Sequence, residues 1–184
     1  MIVLLELLAV VALLAIVVLL IRVLLVLREI HSASSSSPTT KSRSSPIPTV
    51  VVLGSGGHTT EILQLLQSLN PSYYTPLTFI VAQTDTTSLK RVEAAASAHR
   101  RHPDAVHSIP RSREVGQSYS TSVATTIWSL IYTLSLMMKL RPGLLLCNGP
   151  GTCLPIAVWT FVGRVLGLWE GKIVFCESFC RVTR

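Results

Sequence analysis

Every one of the first thirty residues is apolar except Glu6, Arg22, Arg28 and Glu29, and the run from Leu7 to Ile21 is unbroken. That pattern predicts a helix over residues 1–30 that covers the ~30 Å hydrocarbon core of a bilayer, with Arg22 and Arg28 able to snorkel at one end. The basic residues flanking the run, Arg22, Arg28, Lys41 and Arg43, all follow it. The positive-inside rule therefore sets the C-terminal bulk of the chain in the cytosol. A cleaved secretory signal is the rival reading. It requires a basic leader and an apolar core of only ~7–15 residues, whereas this leader carries Glu6 and the run is longer. Residues 31–48 are rich in Ser and Pro and nearly devoid of apolar side chains. They cannot offset their ordering entropy and are expected to form a tether. Residues 49–184 have the length of one domain.

Within that domain, short apolar runs alternate with helical periodicity. Val50–Leu53, Leu77–Ala82, Val106–Ile109, Gly143–Cys147 and Lys172–Cys176 read as strands, the first two without the polar alternation of a half-exposed sheet. Between them, Thr59–Leu69, Ser88–Ala98, Ser120–Leu140 and Thr152–Leu168 read as helices; Ile62, Leu65, Leu66 and Leu69 form one stripe of the first. Strand–helix alternation of this kind is the signature of an α/β, doubly wound parallel sheet. Two stretches raise the question of further membrane spans. Residues 116–138 are uncharged but include nine Ser or Thr, and residues 155–169 are apolar around Arg164. Helices packed on a parallel sheet have this composition, and a surplus apolar face resting on the bilayer is the intermediate possibility.

The chain has 184 residues, 16 Lys+Arg against 9 Asp+Glu and a formal net charge of +7. Its mean hydropathy of +0.53 is high for a soluble domain, and the N-terminal run accounts for the excess. The basic residues are scattered without aromatic interleaving, which argues against nucleic acid as a partner. Cys147, Cys153, Cys176 and Cys180 contain no C-x-x-C pair and are too few to staple a domain of this size, so a reduced, cytosol-facing fold is expected. No His/Cys/Asp/Glu cluster has metal-ligand spacing and no Gly-x-Ser-x-Gly elbow is present; neither metal nor cofactor is expected.

Ligands of open α/β sheets bind beyond the carboxyl ends of the strands, and the unusual clusters gather at such places. Gly54, Ser55, Gly56, Gly57 and His58 follow the first strand and open the first helix. Glycines there let backbone N–H groups approach phosphate oxygens. Thr59 occupies the place of the third glycine of a dinucleotide fingerprint, and no Gly-Lys-Ser/Thr completes a Walker loop. His58 can donate to a phosphate or cap the helix. Asn148, Gly149, Pro150, Gly151 and Thr152 stand in the same relation to a later strand, so two glycine-rich turns can grip a diphosphate from both sides. Arg111 and Arg113 supply two cations in a loop, suited to phosphate or headgroup contacts or else a solvated charged turn. Glu177 can accept from a sugar hydroxyl or pair with Arg181.

In order along the chain stand an N-terminal anchor, Gly54-Ser55-Gly56-Gly57-His58-Thr59-Thr60-Glu61, Pro110-Arg111-Ser112-Arg113-Glu114-Val115, Cys147-Asn148-Gly149-Pro150-Gly151-Thr152-Cys153, and Glu177-Ser178 with Arg181-Val182. Together they resemble the asparagine-linked glycosylation protein 14 family. The resemblance implies a Rossmann-like domain similar to the N-terminal half of a two-domain GT-B glycosyltransferase. It implies a membrane-anchoring, non-catalytic subunit of the transferase that adds the second N-acetylglucosamine to dolichol diphosphate-GlcNAc on the cytosolic face of the endoplasmic reticulum. The nuclear membrane continuous with it belongs to the same expectation. A separate catalytic subunit would hold UDP-N-acetylglucosamine. Residues 54–58 would approach the acceptor diphosphate, and 148–152 with Arg111 and Arg113 would line the same cleft or the subunit interface. The family continues through a further helix and strand, so residues 49–184 are expected to be a C-terminally truncated domain. The rival from another class is a self-sufficient membrane-bound glycosyltransferase or nucleotide-binding enzyme with Glu177 or His58 as base.

Overall fold

The computed structural model describes residues 2–35, 45–54, 57–99, 102–114 and 116–176. Helix α1 (Ile2–Ser35) precedes β1 (Thr49–Val52), α2 (Gly57–Gln67), β2 (Leu77–Ala82), α3 (Thr86–His99) and β3 (Ala105–Ile109). Then come α4 (Tyr119–Leu140), β4 (Leu144–Cys147), α5 (Pro150–Val165) and β5 (Lys172–Phe175). The five strands form one parallel sheet in the order β3-β2-β1-β4-β5. The chain builds outward from β1 to β3, then returns to lay β4 on the other side of β1. That reversal is the switch point at which such sheets open a crevice. Val52 is in register with both Ile80 and Cys147, so the turns leaving β1 and β4 emerge side by side.

The alternation of side chains along the central strands divides the core in two. Val50, Val52, Ile80, Ile109, Leu145 and Cys147 face Met137 of α4 and Cys153 and Ile156 of α5. Val51, Leu53, Phe79, Val81 and Leu146 face Ile62 and Leu66 of α2 and Val92 of α3. Strands β1 and β2 are buried throughout, which is why their sequences are largely apolar runs. β5 closes one edge of the sheet and is exposed at all four positions.

Helix ends differ from the expected ones for local chemical reasons. α3 starts at Thr86, ahead of the expected Ser88, because Asp85 caps it: Oδ1 accepts from the N–H groups of Thr87 and Ser88 at 3.2 and 3.0 Å. α5 stops at Val165, before the expected Leu168, where Gly167 at φ 72° turns the chain and Leu168 N–H reaches Gly163 O at 2.8 Å.

Helix α1 is long and apolar enough to cross a membrane, and it also docks on the domain. Arg22 Nε donates to Val165 O at 3.1 Å, and Arg164 pairs with Glu29 at 2.9 Å. That pair accounts for a cation inside the otherwise apolar α5. α4 passes the same length and composition test for a span, yet it packs on the sheet with its polarity reversed. Ser122, Ser129, Thr133 and Met137 are its buried residues, whereas Val123, Ile127, Trp128, Ile131, Leu134 and Met138 are exposed. Ser129 Oγ donates to Pro110 O and Thr133 Oγ1 to Ser129 O, at 2.8 and 2.7 Å, so the buried hydroxyls are satisfied.

Candidate functional site

The turn after β1 is held by a buried polar brace. Thr59 Oγ1 donates to the carbonyl of Gly54 and lies 2.7 Å from Ser88 Oγ; Ser88 donates to Asp85 Oδ2 at 2.6 Å. Thr59 and Ser88 are fully buried and Asp85 nearly so. Burial alone would raise the Asp85 carboxyl, but hydrogen bonds from Ser88 and Thr87 outweigh it and hold the group below its ordinary value of 3.8. A depressed carboxyl contributes stability that is present above the unfolded value and lost as pH falls through the folded one. Asp85→Ala removes a helix cap and leaves the Ser88 hydroxyl with Gly54 O at 3.2 Å and Thr59 as its partners, an expected loss of about 1–2 kcal/mol. Thermal unfolding of the full chain followed by tryptophan fluorescence should show that loss at neutral pH, shrinking only below pH 3.8.

The second turn closes against the first. A side chain at Gly54 would collide with the carbonyl of Asn148 and come within 2.9 Å of His58 Cβ. Gly149, at φ 92°, brings its own missing side chain 3.4 Å from Gly54 Cα. Asn148, 1% exposed, donates through Nδ2 to His58 O at 3.2 Å and Glu61 Oε2 at 3.1 Å. It therefore clamps the two turns together from below. Its Oδ1 has no partner among the described residues, and neither does the buried Ser112 Oγ. His58 Nδ1 stands 3.9 Å from Glu61 Oε2.

Gly149 caps α5 without a side-chain hydrogen bond and Pro150 takes the first turn, leaving the helix start available to an anion. Pro155, inside the helix, has no N–H to give the carbonyl four residues back. That carbonyl, Gly151 O, instead accepts from Ser112 N–H at 2.9 Å. One proline thus fastens the arginine loop onto α5. Gly151 is small because Arg113 O lies 3.1 Å from where its Cβ would be.

These contacts enclose a cavity of about 530 Å³ lined by Gly54, His58, Arg111, Arg113, Gly149, Gly151 and Thr152, with Ser122 and Thr126 of α4 along one side. Arg111 is half committed, its Nη1 lying 3.3 Å from Glu114 Oε2. Arg113 stacks 4.6 Å over the Tyr119 ring and donates to Gln117 O at 3.3 Å. The structure therefore brings together Gly54, His58, Arg111, Arg113, Gly149, Gly151 and Thr152, and puts Asn148 beneath them as a brace. Gly57 opens α2 and is exposed. Pro150 starts α5. Ser55, Gly56 and Glu177 lie outside the described residues. Sequence reasoning passed over Asp85, Ser88 and Pro155; Asp85 three residues before Ser88 was a readable capping signal, and a proline within a predicted helix was a readable break in its bonding.

Three thiols sit beside the cleft. Contact with Cys153, and after it burial, pushes Cys147 above the ordinary thiol range, and burial does the same to Cys176. Neither is a thiolate nucleophile at neutral pH. Among the described residues no group of His, Cys, Asp and Glu has the makings of a metal site.

The class is thereby defined: an α/β domain, docked to an apolar helix long enough to cross a bilayer, with a glycine-lined cleft at the switch point of a parallel sheet. Residues 49–184 match the family described as "Oligosaccharide biosynthesis protein Alg14 like", and the chain belongs to that family. It is 43% identical over 141 residues to the "UDP-N-acetylglucosamine transferase subunit ALG14" of Mus musculus. Identity is 44% over 140 residues to the Homo sapiens protein of that name and 38% over 134 residues to that of Candida albicans. The alignments cover 72–73% of this chain. The chain spans 64% of the length of the mouse and human relatives.

Proposed function

We propose that this chain is the membrane-anchoring, non-catalytic subunit of a UDP-N-acetylglucosamine transferase on the cytosolic face of the endoplasmic reticulum. It recruits the catalytic subunit and offers its cleft to the diphosphate of dolichol diphosphate-GlcNAc, for the second step of lipid-linked oligosaccharide synthesis in protein N-glycosylation. The observation that carries this reading is the cleft itself, two interlocked glycine turns, an uncapped helix start and two arginines, on a domain fastened to its own apolar helix. Backbone N–H groups at the start of α5 receive phosphate oxygens, and Arg111 and Arg113 offset their charge. Binding and location are what this chain contributes. Holding acceptor and catalytic subunit in one membrane-bound assembly turns a bimolecular encounter into a local one. The domain is similar on this reading to the acceptor half of a GT-B enzyme, with the donor half supplied in trans.

The reversed polarity of α4 supports the same picture. Its outer face, from Tyr119 to Met138, rests on the bilayer beside the cleft, at the level where a polyprenyl diphosphate would present its head.

The test is reconstitution with a dolichol diphosphate-GlcNAc acceptor and UDP-N-acetylglucosamine. The purified chain alone should transfer no sugar, and addition of the catalytic subunit should restore transfer. Turnover by the chain alone would overturn the subunit reading in favour of a self-sufficient enzyme, for which the His58–Glu61 pair is the available base.

A further inference from the structure

A second cavity, of about 600 Å³, lies where α1 meets the domain, at the opposite end of α5 from the glycine turns and lined by different residues. Its depth in the membrane follows from helix geometry. Ile2–Ile21 is twenty residues, about 30 Å of helix, which fills the hydrocarbon core. Arg22 to Glu29 then carries the helix roughly 10 Å further, through the headgroup layer. Arg22, Val26 and Glu29 form the α1 wall of the cavity, and Arg164, Trp169 and Lys172 form the wall on the domain.

The walls are built to admit a charged guest. Gly167, at φ 72°, makes room for Arg22, since a Cβ there would lie 2.6 Å from Nη2. Arg22 uses Nε on Val165 O, which leaves its two Nη groups to donate elsewhere. Trp169 is fixed by its indole N–H on Thr160 O at 3.1 Å and lies against Gly163, where any side chain would collide with the ring. Three cations line the space against two carboxylates, Glu29 and Glu170. Glu29 is matched by Arg164 at 2.9 Å. The Lys172 backbone N–H is taken by Gly143 O at 3.0 Å, and its ammonium has no hydrogen bond or ion pair among the described residues. The balance is cationic, at headgroup depth, with Leu25 and Val26 as apolar lining beside the charges.

We propose that this cavity holds the phosphate of one acidic glycerophospholipid, gripped by Arg22 and Lys172, and that the lipid completes the joint between anchor and domain. The site is separate from the acceptor cleft, and its occupant is a bulk lipid of the membrane. A lipid is favoured over soluble phosphate because one wall belongs to a helix long and apolar enough to cross the bilayer.

The full chain is reconstituted into nanodiscs of phosphatidylcholine containing phosphatidylserine, and lipids retained after release are counted by native mass spectrometry. The wild type should retain one phosphatidylserine. Lys172→Glu and Arg22→Gln should each lower that retention about tenfold, while Lys90→Glu, on exposed α3 across the sheet, leaves it unchanged. Lys172 is exposed, so Lys172→Glu is informative even if Arg22→Gln disturbs insertion. Equal retention by wild type and Lys172→Glu overturns the proposal. So does displacement of the lipid by inorganic phosphate at concentrations comparable to the lipid, which would mark a plain anion site.

Discussion

Gly54→Val is expected to lower kcat/KM of the reconstituted transferase at least about a hundredfold while leaving membrane insertion intact. The expectation follows from what stands around a side chain at that position. Its Cβ would meet the backbone carbonyl of Asn148 and, at 2.9 Å, Cβ of His58. Neither neighbour can withdraw. Asn148 is 1% exposed and tied to His58 and Glu61, and the Gly54 carbonyl is held by Thr59. The turns after β1 and β4 would have to part, and a misplacement of about 1 Å in a positioning site can cost about a hundredfold in rate. Overpacking of this kind costs about 1–3 kcal/mol in stability, which a domain of this size can bear. Gly57→Ala is the matched control: a Cβ there meets nothing within 4 Å, so activity should stay within a factor of about two. A Gly54→Val transferase with normal kcat/KM would show that the cleft does not receive the acceptor.

Ile127→Glu combined with Ile131→Glu is expected to lower transfer to a long-chain, membrane-embedded acceptor about tenfold or more, with transfer to a short-chain soluble acceptor unchanged. Ile127 and Ile131 are one turn apart on α4 and are 52% and 62% exposed. Each buries about 1.5–3 kcal/mol worth of apolar surface when it enters an interface. The substitutions forfeit that gain without touching the core, since α4 packs inward through Ser129, Thr133 and Met137. Trp128, on the same outer face and 62% exposed, is one of three tryptophans, and the difference in quenching between the parent chain and the double variant reads its contact with lipid. Quenchers attached to lipid chains should reduce tryptophan fluorescence in the parent chain and much less in the double variant. Equal loss with both acceptors would mean that the stripe serves the catalytic partner instead of the bilayer.

The two predictions rest on features of unequal visibility in the sequence. The turn at Gly54 was legible because glycines between a buried strand and a helix have few other uses, and Asn148-Gly149-Pro150-Gly151 repeats the arrangement. The strands were legible because β1 and β2 are buried on both faces and read as apolar runs with Thr49 and Thr78 as their polar members. α4 was legible as a helix, but its orientation was not. Periodicity names the apolar stripe and assigns it inward by default, whereas here the Ser/Thr stripe faces the sheet because Pro110 O and the helix's own carbonyls satisfy its hydroxyls.

Local pattern by itself determined the apolar helix, the strand–helix alternation and the glycine-rich turns where backbone comes close to backbone. Each of these depends on neighbours a few residues apart. Only the tertiary structure decided which of the polar residues line the cleft and which brace it. Asn148 meets Glu61 across 87 residues of chain and Arg22 meets Val165 across 143. Pro155 matters because the carbonyl it leaves unbonded faces Ser112, on a loop before α4. A sequence records that a donor, an acceptor or a charge exists. Whether it points into a cleft, a core or a lipid layer is set by the packing of elements on the sheet, because burial makes an unpartnered polar group costly and so selects the partner.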